Sequence, residues 1–374
     1  MKTYQYRLLP SRSQRSKLVR TLEMCRRVYH ETLAVRKDAW EGEHRSLSLY
    51  DTQKLLPFWK REHPELKSVY AQILQNVQAC VDLAFRAFFR RVKAGEKPGY
   101  PRFRGPGRYD SFTFTQFGSK LREDGLYLSR IGAVKIVPHR PIEGRIKTLT
   151  LRREGVGNWY ACFAREVEPQ PLPFNDRAVG IDVGLESFAT LSSRVKIGNP
   201  RFFRRDEHEL ARAQRRLSKA EKGTPERARR LKAVQQIHQR IANRRRDFAH
   251  QVSRELVNHF GLLAFEKLNG RGMLQNHCLA KSLQDAAWDQ LIRYTTYKAE
   301  NAGRVIVRVD PRNTSRMCPR CGTLLEKSLS VRIHECPCCG LVMDRDENAA
   351  NNILRLGLQS LGFAVEAPAF RRGE

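Results

Sequence analysis

Cys318 and Cys321 in "RMCPRCG", and Cys336 and Cys339 in "ECPCCG", form two CxxC pairs with fourteen residues between them. A CxxC turn points two thiolates at one centre, and two such turns close a tetrahedral four-sulfur site of the structural Zn²⁺ kind. Gly322 and Gly340 follow the pairs and let the backbone turn beneath the sulfurs. Cys338 would need CxC or CC spacing and reads as a bystander. With four protein ligands no coordination position stays open, so this metal is structural and not catalytic. An iron–sulfur cluster is the alternative. Unliganded core thiols are a poorer one, because five cysteines among Pro and Arg make no apolar core.

A second set of residues is acidic. Asp182 ends an apolar run in "VGIDVGL", Glu266 ends "LLAFE", and Asp346 stands in "MDRDENAANNIL", two residues after Asp344. An ionised carboxylate on a buried strand is costly unless a cation or hydrogen bonds compensate it. Gly180 and Gly184 beside Asp182 leave room for a metal and a phosphate backbone. Singly, Asp182 reads as a turn cap, Glu266 as an arginine partner and Asp346 as an N-cap. Together, in a polycationic chain, they suggest a site for two Mg²⁺ ions about 3.5–4 Å apart, of the kind that hydrolyses phosphodiesters. Mg²⁺ takes oxygen ligands, which suits Asp and Glu rather than Cys.

These residues need elements to position them. Residues 2–9 read as a short strand and residues 11–92 as helical, with Ile73, Val77, Val81, Phe85 and Phe88 on one face. "EKPGYPRFRGPGR" breaks the helix with three glycines and three prolines, Pro106 among them. From Asp110 to Glu168 the period changes to two, with a hairpin turn at "EGVGN". This predicts a small β-barrel assembled from both sides of the helical block. "EPQPLPFND" (168–176) reads as a linker, and "RAVGIDVGLESFATLSS" as strand, tight turn and returning strand. A helical hairpin divided at "KGTP" follows, its second arm striped by Val234, Ile237, Ile241, Phe248 and Val252. The strand ending in Glu266, one helix at about 281–301 and the strand 303–310 complete an α/β sheet.

The chain has 374 residues and a formal net charge of +30, from 69 Lys+Arg and 39 Asp+Glu. Self-repulsion of that size calls for a polyanionic partner, and nucleic acid leads because phosphate contacts release counterions. A membrane surface is the other polyanion, but no basic amphipathic helix with a bulky apolar face favours it. With no apolar leader and no long apolar run, the expectation is a soluble cytoplasmic protein with no membrane contact. In that compartment nine cysteines are not a disulfide framework, and isolated Cys25, Cys80, Cys162 and Cys278 read as small buried hydrophobes.

"GIDVGLESFATLSS", "NPRFFRRDEHELARAQRRLSK", "FEKLNGRGMLQNHCLAKSLQDAAW", "VDPRNTSRMCPRCG" and "CCGLVMDRDENAANNIL" together resemble TnpB, the transposon-encoded, RNA-guided DNA endonucleases related to type V CRISPR effectors. "KPGYPRFRG" resembles that family's N-terminal half, and the motifs keep the family's order along nearly the whole chain. The resemblance implies an RNase H-like (RuvC) nuclease whose Asp–Glu–Asp triad is Asp182, Glu266 and Asp346. Asp346 is chosen over Asp344 because the family's last acid immediately precedes the "NAA" helix. It also implies a wedge β-barrel (1–10 and 97–172) interrupted by a helical recognition lobe (11–96). A nuclease (173–312 and 342–356) carrying an inserted zinc ribbon (313–341) follows, with a C-terminal tail at 357–374.

The partners implied are a guide RNA from the transposon end and a double-stranded DNA target cut beside a short adjacent motif, with the protein a monomer on its RNA. Gln75 and Asn76 offer amides that suit bidentate contact with adenine, or else a solvated helix face. Tyr100, Arg102 and Arg104 combine a stacking ring with cations, or else form a proline-rich surface turn. The hairpin carries 17 Lys/Arg against 6 Asp/Glu between Arg201 and Arg254, which suits a guide–target heteroduplex read through its phosphates. The rival readings are a nuclease-inactive RNA-guided DNA-binding protein, a strand-transferring transposase and a non-enzymatic zinc-ribbon RNA-binding protein.

Overall fold

A computed structural model describes residues 2–363 apart from 106, 124, 143, 269, 274, 276, 327, 329 and 330. Pro106 and the tail beyond residue 363 therefore lie outside the described residues. The chain divides into two compact units at Val167/Glu168, where the proline-rich "EPQPLPFND" begins. Among the described residues, no helix is long and apolar enough to cross a membrane.

The first unit starts with β1 (Lys2–Leu9), followed by α1 (Arg12–Glu43), α2 (Leu49–Glu62), a 3₁₀ turn at Pro64–Ser68 and α3 (Ala71–Lys93). Ser11 begins α1 and Ser48 begins α2, each with a reciprocal capping box that satisfies otherwise orphaned backbone donors. Six strands then return: β2 (Ser111–Phe114), β3 (Ser119–Arg122), β4 (Gly125–Leu128), β5 (Gly132–Val137), β6 (Arg145–Arg153) and β7 (Trp159–Glu166). With β1 they form a nearly closed, barrel-like sheet in the order β2-β6-β7-β1-β5-β4-β3. The turn at "EGVGN" joins β6 to β7, closed by the Gly157 N–H donating to the Glu154 carbonyl at 2.7 Å.

Phe112, Phe114, Leu149, Leu151, Trp159, Ala161 and Phe163 face inward on alternate positions, as a period of two requires. They share one continuous core with Leu18, Cys25, Leu33, Ile73, Val77 and Val81 of the helices. Barrel and helices therefore pack as a single body. Cys25 lies in that core, but the other three isolated cysteines do not match the expectation of burial. Cys162 takes an outward position on β7, Cys80 lies off the buried face of α3, and Cys278 is exposed.

The second unit contains β8 (Ala178–Asp182), β9 (Ser187–Leu191), β10 (Lys196–Gly198), α4 (Phe202–Ser218), α5 (Pro225–His259) and β11 (Leu262–Glu266). It continues through α6 (Gly270–Met273), α7 (His277–Ala286), α8 (Trp288–Ala302) and β12 (Val305–Val309), then β13 (Ile333–Glu335), β14 (Val342–Asp344) and α9 (Arg345–Ser360). One sheet has the order β10-β9-β8-β11-β12, antiparallel through its first three strands and parallel from β8 to β12. Val179, Ile181, Leu263 and Phe265 are buried between the sheet and the helices.

One expectation is corrected in this unit. The single helix at 281–301 is two, because Ala287 adopts the left-handed conformation at φ 54°. Asp285 is held by the Phe203 N–H at 2.9 Å and by Arg245 at 2.8 Å, and the break beyond it turns Trp288 into the core. β14 pairs antiparallel with β13 in a hairpin that ends at Asp344.

Candidate active site

Asp182 and Glu266 are the last residues of adjacent parallel strands, and Phe265 pairs with Ile181 immediately before them. The strand register thus brings two carboxylates from positions 84 residues apart to one edge of the sheet. α9 supplies the third. Its backbone crosses β8 so closely that a Cβ on Gly180 would meet the Ala350 carbonyl at 2.0 Å and the Leu354 nitrogen at 2.6 Å. Gly180 therefore makes room for a helix, not for a metal or phosphate. Further along, Gly357 of α9 rests on Ala264 of β11. Set down this way, α9 delivers its first turn to the edge where Asp182 and Glu266 end. Asp346 Oδ2 there lies 4.0 Å from the position a Gly184 Cβ would take.

Asp182 lies close enough to the other two acids to feel their charges. Burial, then the charges of Glu266 and Asp346, push the Asp182 carboxyl well above the usual carboxylate range, with Arg345 opposing. Burial also raises Glu266, opposed by a hydrogen bond from the Thr314 hydroxyl at 2.6 Å. Asp346 is flanked by two guanidinium groups, Arg345 at 3.2 Å and Arg332 at 3.7 Å. Arg332 also reaches Glu186 at 3.0 Å.

Asp344 has a different task. Its side chain accepts from the Asp346 and Glu347 N–H groups at 2.9 and 3.2 Å, so it, not Asp346, is the N-cap of α9. It also pairs with Lys196 at 2.8 Å. Burial pushes its carboxyl up, but Lys196 and the two backbone donors outweigh that and hold it low.

Cys318, Cys321, Cys336 and Cys339 place their sulfurs within 4.8 Å of one another, while Cys338 is exposed and outside the group. Sγ–Sγ separations of 3.6 Å (Cys318–Cys339) and 3.4 Å (Cys321–Cys336) approach the roughly 3.8 Å edge of a four-sulfur tetrahedron with 2.3 Å bonds. The two knuckles repeat one backbone pattern. The Cys318 and Cys336 carbonyls accept from the Gly322 and Gly340 N–H groups, both at 2.9 Å, and those glycines take φ 79° and 66°. Thr323 beside Cys321 pulls its thiol down to about 6, favouring the thiolate a metal binds. The residues fit a four-thiolate metal, and the three acids fit an oxygen-liganded divalent cation whose charge would relieve their repulsion.

Asn348 and Asn352, fully buried and one turn apart on α9, join the two centres. Both donate to the Thr314 carbonyl, at 3.3 and 2.8 Å, and to the Met317 carbonyl, at 3.0 and 2.6 Å. The loop entering the first knuckle is thus clamped to the helix carrying Asp346. Thr314, Arg332, Arg345 and the two asparagines were not singled out in the sequence. Only the asparagines leave a trace there, as amides at i and i+4 on the alanine face of "NAANN".

In the first unit, Gln75 is exposed and Asn76 half-buried on α3. Tyr100 packs edge-on against Phe85 and Phe88, at 5.6 and 5.4 Å, and stays 43% exposed. Phe85 is ten residues from Gln75, about 15 Å along a helix, so Tyr100 and the amide pair are separate features. The Arg102 carbonyl accepts from the Tyr29 hydroxyl, and the Arg104 guanidinium stacks 5.0 Å above the Tyr29 ring. Phe117, 70% exposed, donates its N–H to Gln72 one turn before Asn76.

A carboxylate cluster at a sheet edge thus lies beside a four-cysteine ribbon, with Asn348 and Asn352 joining the two. Three family models match: "Helix-turn-helix domain" over residues 1–45, "Probable transposase" over 162–277 and "Cas12f1-like, TNB domain" over 288–353. The chain is 36% identical over 367 residues to a Streptomyces pristinaespiralis protein named "Putative RNA-guided DNA endonuclease", covering 96% of this chain and 89% of that one. It is 28% identical to "Putative RNA-guided DNA endonuclease InsQ" of Escherichia coli K12, covering 96% and 92%. The chain belongs to the TnpB-like family of RNA-guided DNA endonucleases. The solved mini-RNA-guided endonuclease CRISPR-Cas_phi3 overlaps 96% of this chain and 92% of its own at 9% identity and a TM-score of 0.46, a likeness too low to add to that assignment.

Proposed function

We propose that the chain is a transposon-encoded, RNA-guided DNA endonuclease that requires Mg²⁺ and cuts double-stranded DNA beside a short adjacent motif. The convergence of Asp182, Glu266 and Asp346 at one sheet edge carries this reading. The strand order, three antiparallel strands followed by two parallel ones, supports an RNase H-like (RuvC) nuclease. Asp182, Glu266 and Asp346 would hold two Mg²⁺ ions, which when bound activate water and neutralise charge on the scissile phosphate. Thr314 orients Glu266, and Arg345 and Arg332 balance Asp346. Cys318, Cys321, Cys336 and Cys339 would hold a structural Zn²⁺.

The remaining assignments concern nucleic acid. The basic α4–α5 hairpin suits phosphate contact with a guide–target heteroduplex. Its own core of Leu210, Val234, Ile237 and Ile241, with Asp206 pairing Arg240 at 3.1 Å, makes it a stiff platform. Gln75 and Asn76 are assigned to the adjacent motif, with Phe117 as a stacking face beside them. Tyr100 and Arg102 are assigned to the nucleic-acid backbone. Arg104, stacked on Tyr29, contributes through the loop it fixes. The protein acts as a monomer on its RNA.

The direct test is to purify the chain from cells carrying its own locus and sequence the RNA that accompanies it. The expected result is one discrete RNA ending in a variable segment. Random RNA, or none, would contradict the reading.

A further inference from the structure

Thr314 stands four residues before Cys318, is 3% exposed, and touches both halves of the site. Its hydroxyl lies 2.6 Å from Glu266 Oε1 and 3.1 Å from the Pro311 carbonyl. The hydroxyl has one proton to donate, and the charged carboxylate at the shorter distance is the stronger acceptor. Its carbonyl takes the Asn348 and Asn352 side chains from α9. Those same asparagines hold Met317, the residue before Cys318. One residue thus joins Glu266 on β11, the helix carrying Asp346 and the first cysteine knuckle.

We infer that Thr314 is a positioning residue for cleavage, fixing the Glu266 carboxylate relative to Asp182 and Asp346 through a ribbon loop that the four-cysteine site holds rigid. The inference rests on the reading of those three acids as the nuclease centre. Glu266 ends its strand on a long side chain, and an unheld glutamate spends much of its time in other rotamers. A hydroxyl fixed by buried backbone contacts removes that freedom before any cation arrives, as outer partners of metal-ligating carboxylates do. The four-cysteine site then has a catalytic consequence without a catalytic ligand, because the loop leading into it orients an acid of the other centre.

The test compares Thr314→Val with Thr314→Ser. Both keep the carbonyl that Asn348 and Asn352 hold, and valine keeps the shape while removing the hydroxyl. Mn²⁺ binding to the full chain is measured by electron paramagnetic resonance, with Asp182→Ala as reference. The Mg²⁺ dependence of cleavage and the affinity for target DNA are measured on the RNA-loaded chain. Thr314→Val should weaken Mn²⁺ binding and raise half-saturating Mg²⁺ by about tenfold, with target affinity unchanged. Thr314→Ser should restore both. Wild-type metal dependence in Thr314→Val, or equal impairment in Thr314→Ser, overturns the inference. If Asp182→Ala itself cleaves normally, the nuclease-centre reading falls instead.

Discussion

The Asn352 side chain donates to the Met317 carbonyl at 2.6 Å, tying the helix of the last acid to the residue preceding the first cysteine of the four-sulfur cluster. Both residues of this contact belong to one network with Thr314 and Asn348, buried at Thr314 and the two asparagines and half-buried at Met317. Asn352→Ala leaves the buried Thr314 carbonyl and the half-buried Met317 carbonyl with Asn348 as their remaining side-chain donor. The expected cost is about 1–3 kcal/mol. Thermal melting should show the loss, and zinc release to a chelator should quicken.

Gly180 and Gly357 let α9 lie directly on the sheet. Gly180→Ala sets a Cβ 2.0 Å from a helix carbonyl that cannot swing aside, so α9 must retreat and carry Asp346 with it. A loss of about 3 kcal/mol or more is expected, together with loss of cleavage. Gly357→Ala crowds the Ala264 Cβ at 2.8 Å, touches the Val307 Cβ at 4.0 Å and gains helix propensity. Its net cost should be about 1–2 kcal/mol, with cleavage retained. Melting and single-turnover cleavage of the two variants check the order.

Cysteine substitutions separate ligand from bystander. Cys338→Ser should keep one zinc per chain, because Cys338 is exposed and outside the sulfur cluster. Cys336→Ser should lose the metal and melt at lower temperature. Metal analysis of the purified variants decides between them.

Much of this architecture was legible in the sequence, and the exceptions share a cause. Period-two alternation marked β2 and β7, and CxxC spacing marked the knuckles, because both signals are local. Glycine at 180 announced a close approach without saying what approaches. Asp346 reads in sequence as the N-cap, whereas backbone geometry gives the cap to Asp344. Ala287 has the best helix propensity of any residue type, so nothing nearby foretold the break that the buried Asp285 contacts accompany. Thr314 and Glu266 are 48 residues apart and meet only through tertiary packing.

The raised Asp182 carboxyl has a consequence for stability. A carboxyl whose folded pKa exceeds its unfolded value binds its proton more tightly in the folded state. The metal-free chain should therefore lose stability as pH rises from the ordinary carboxylate range through that raised value. Asp182→Asn removes the charge, so at neutral pH the metal-free variant should melt higher than the wild type. The difference should shrink in acid and on adding Mg²⁺, which stabilises only the wild type appreciably. Melting curves across pH, with and without Mg²⁺, check the sign.

Asp182→Ala decides whether Asp182, Glu266 and Asp346 form one nuclease centre. The RNA-loaded variant is mixed with a matched double-stranded target in Mg²⁺, and strand scission is measured beside target binding. The expected result is bound target and no cleavage above the level seen in EDTA. Cleavage at the wild-type rate, with RNA and target bound, would contradict it.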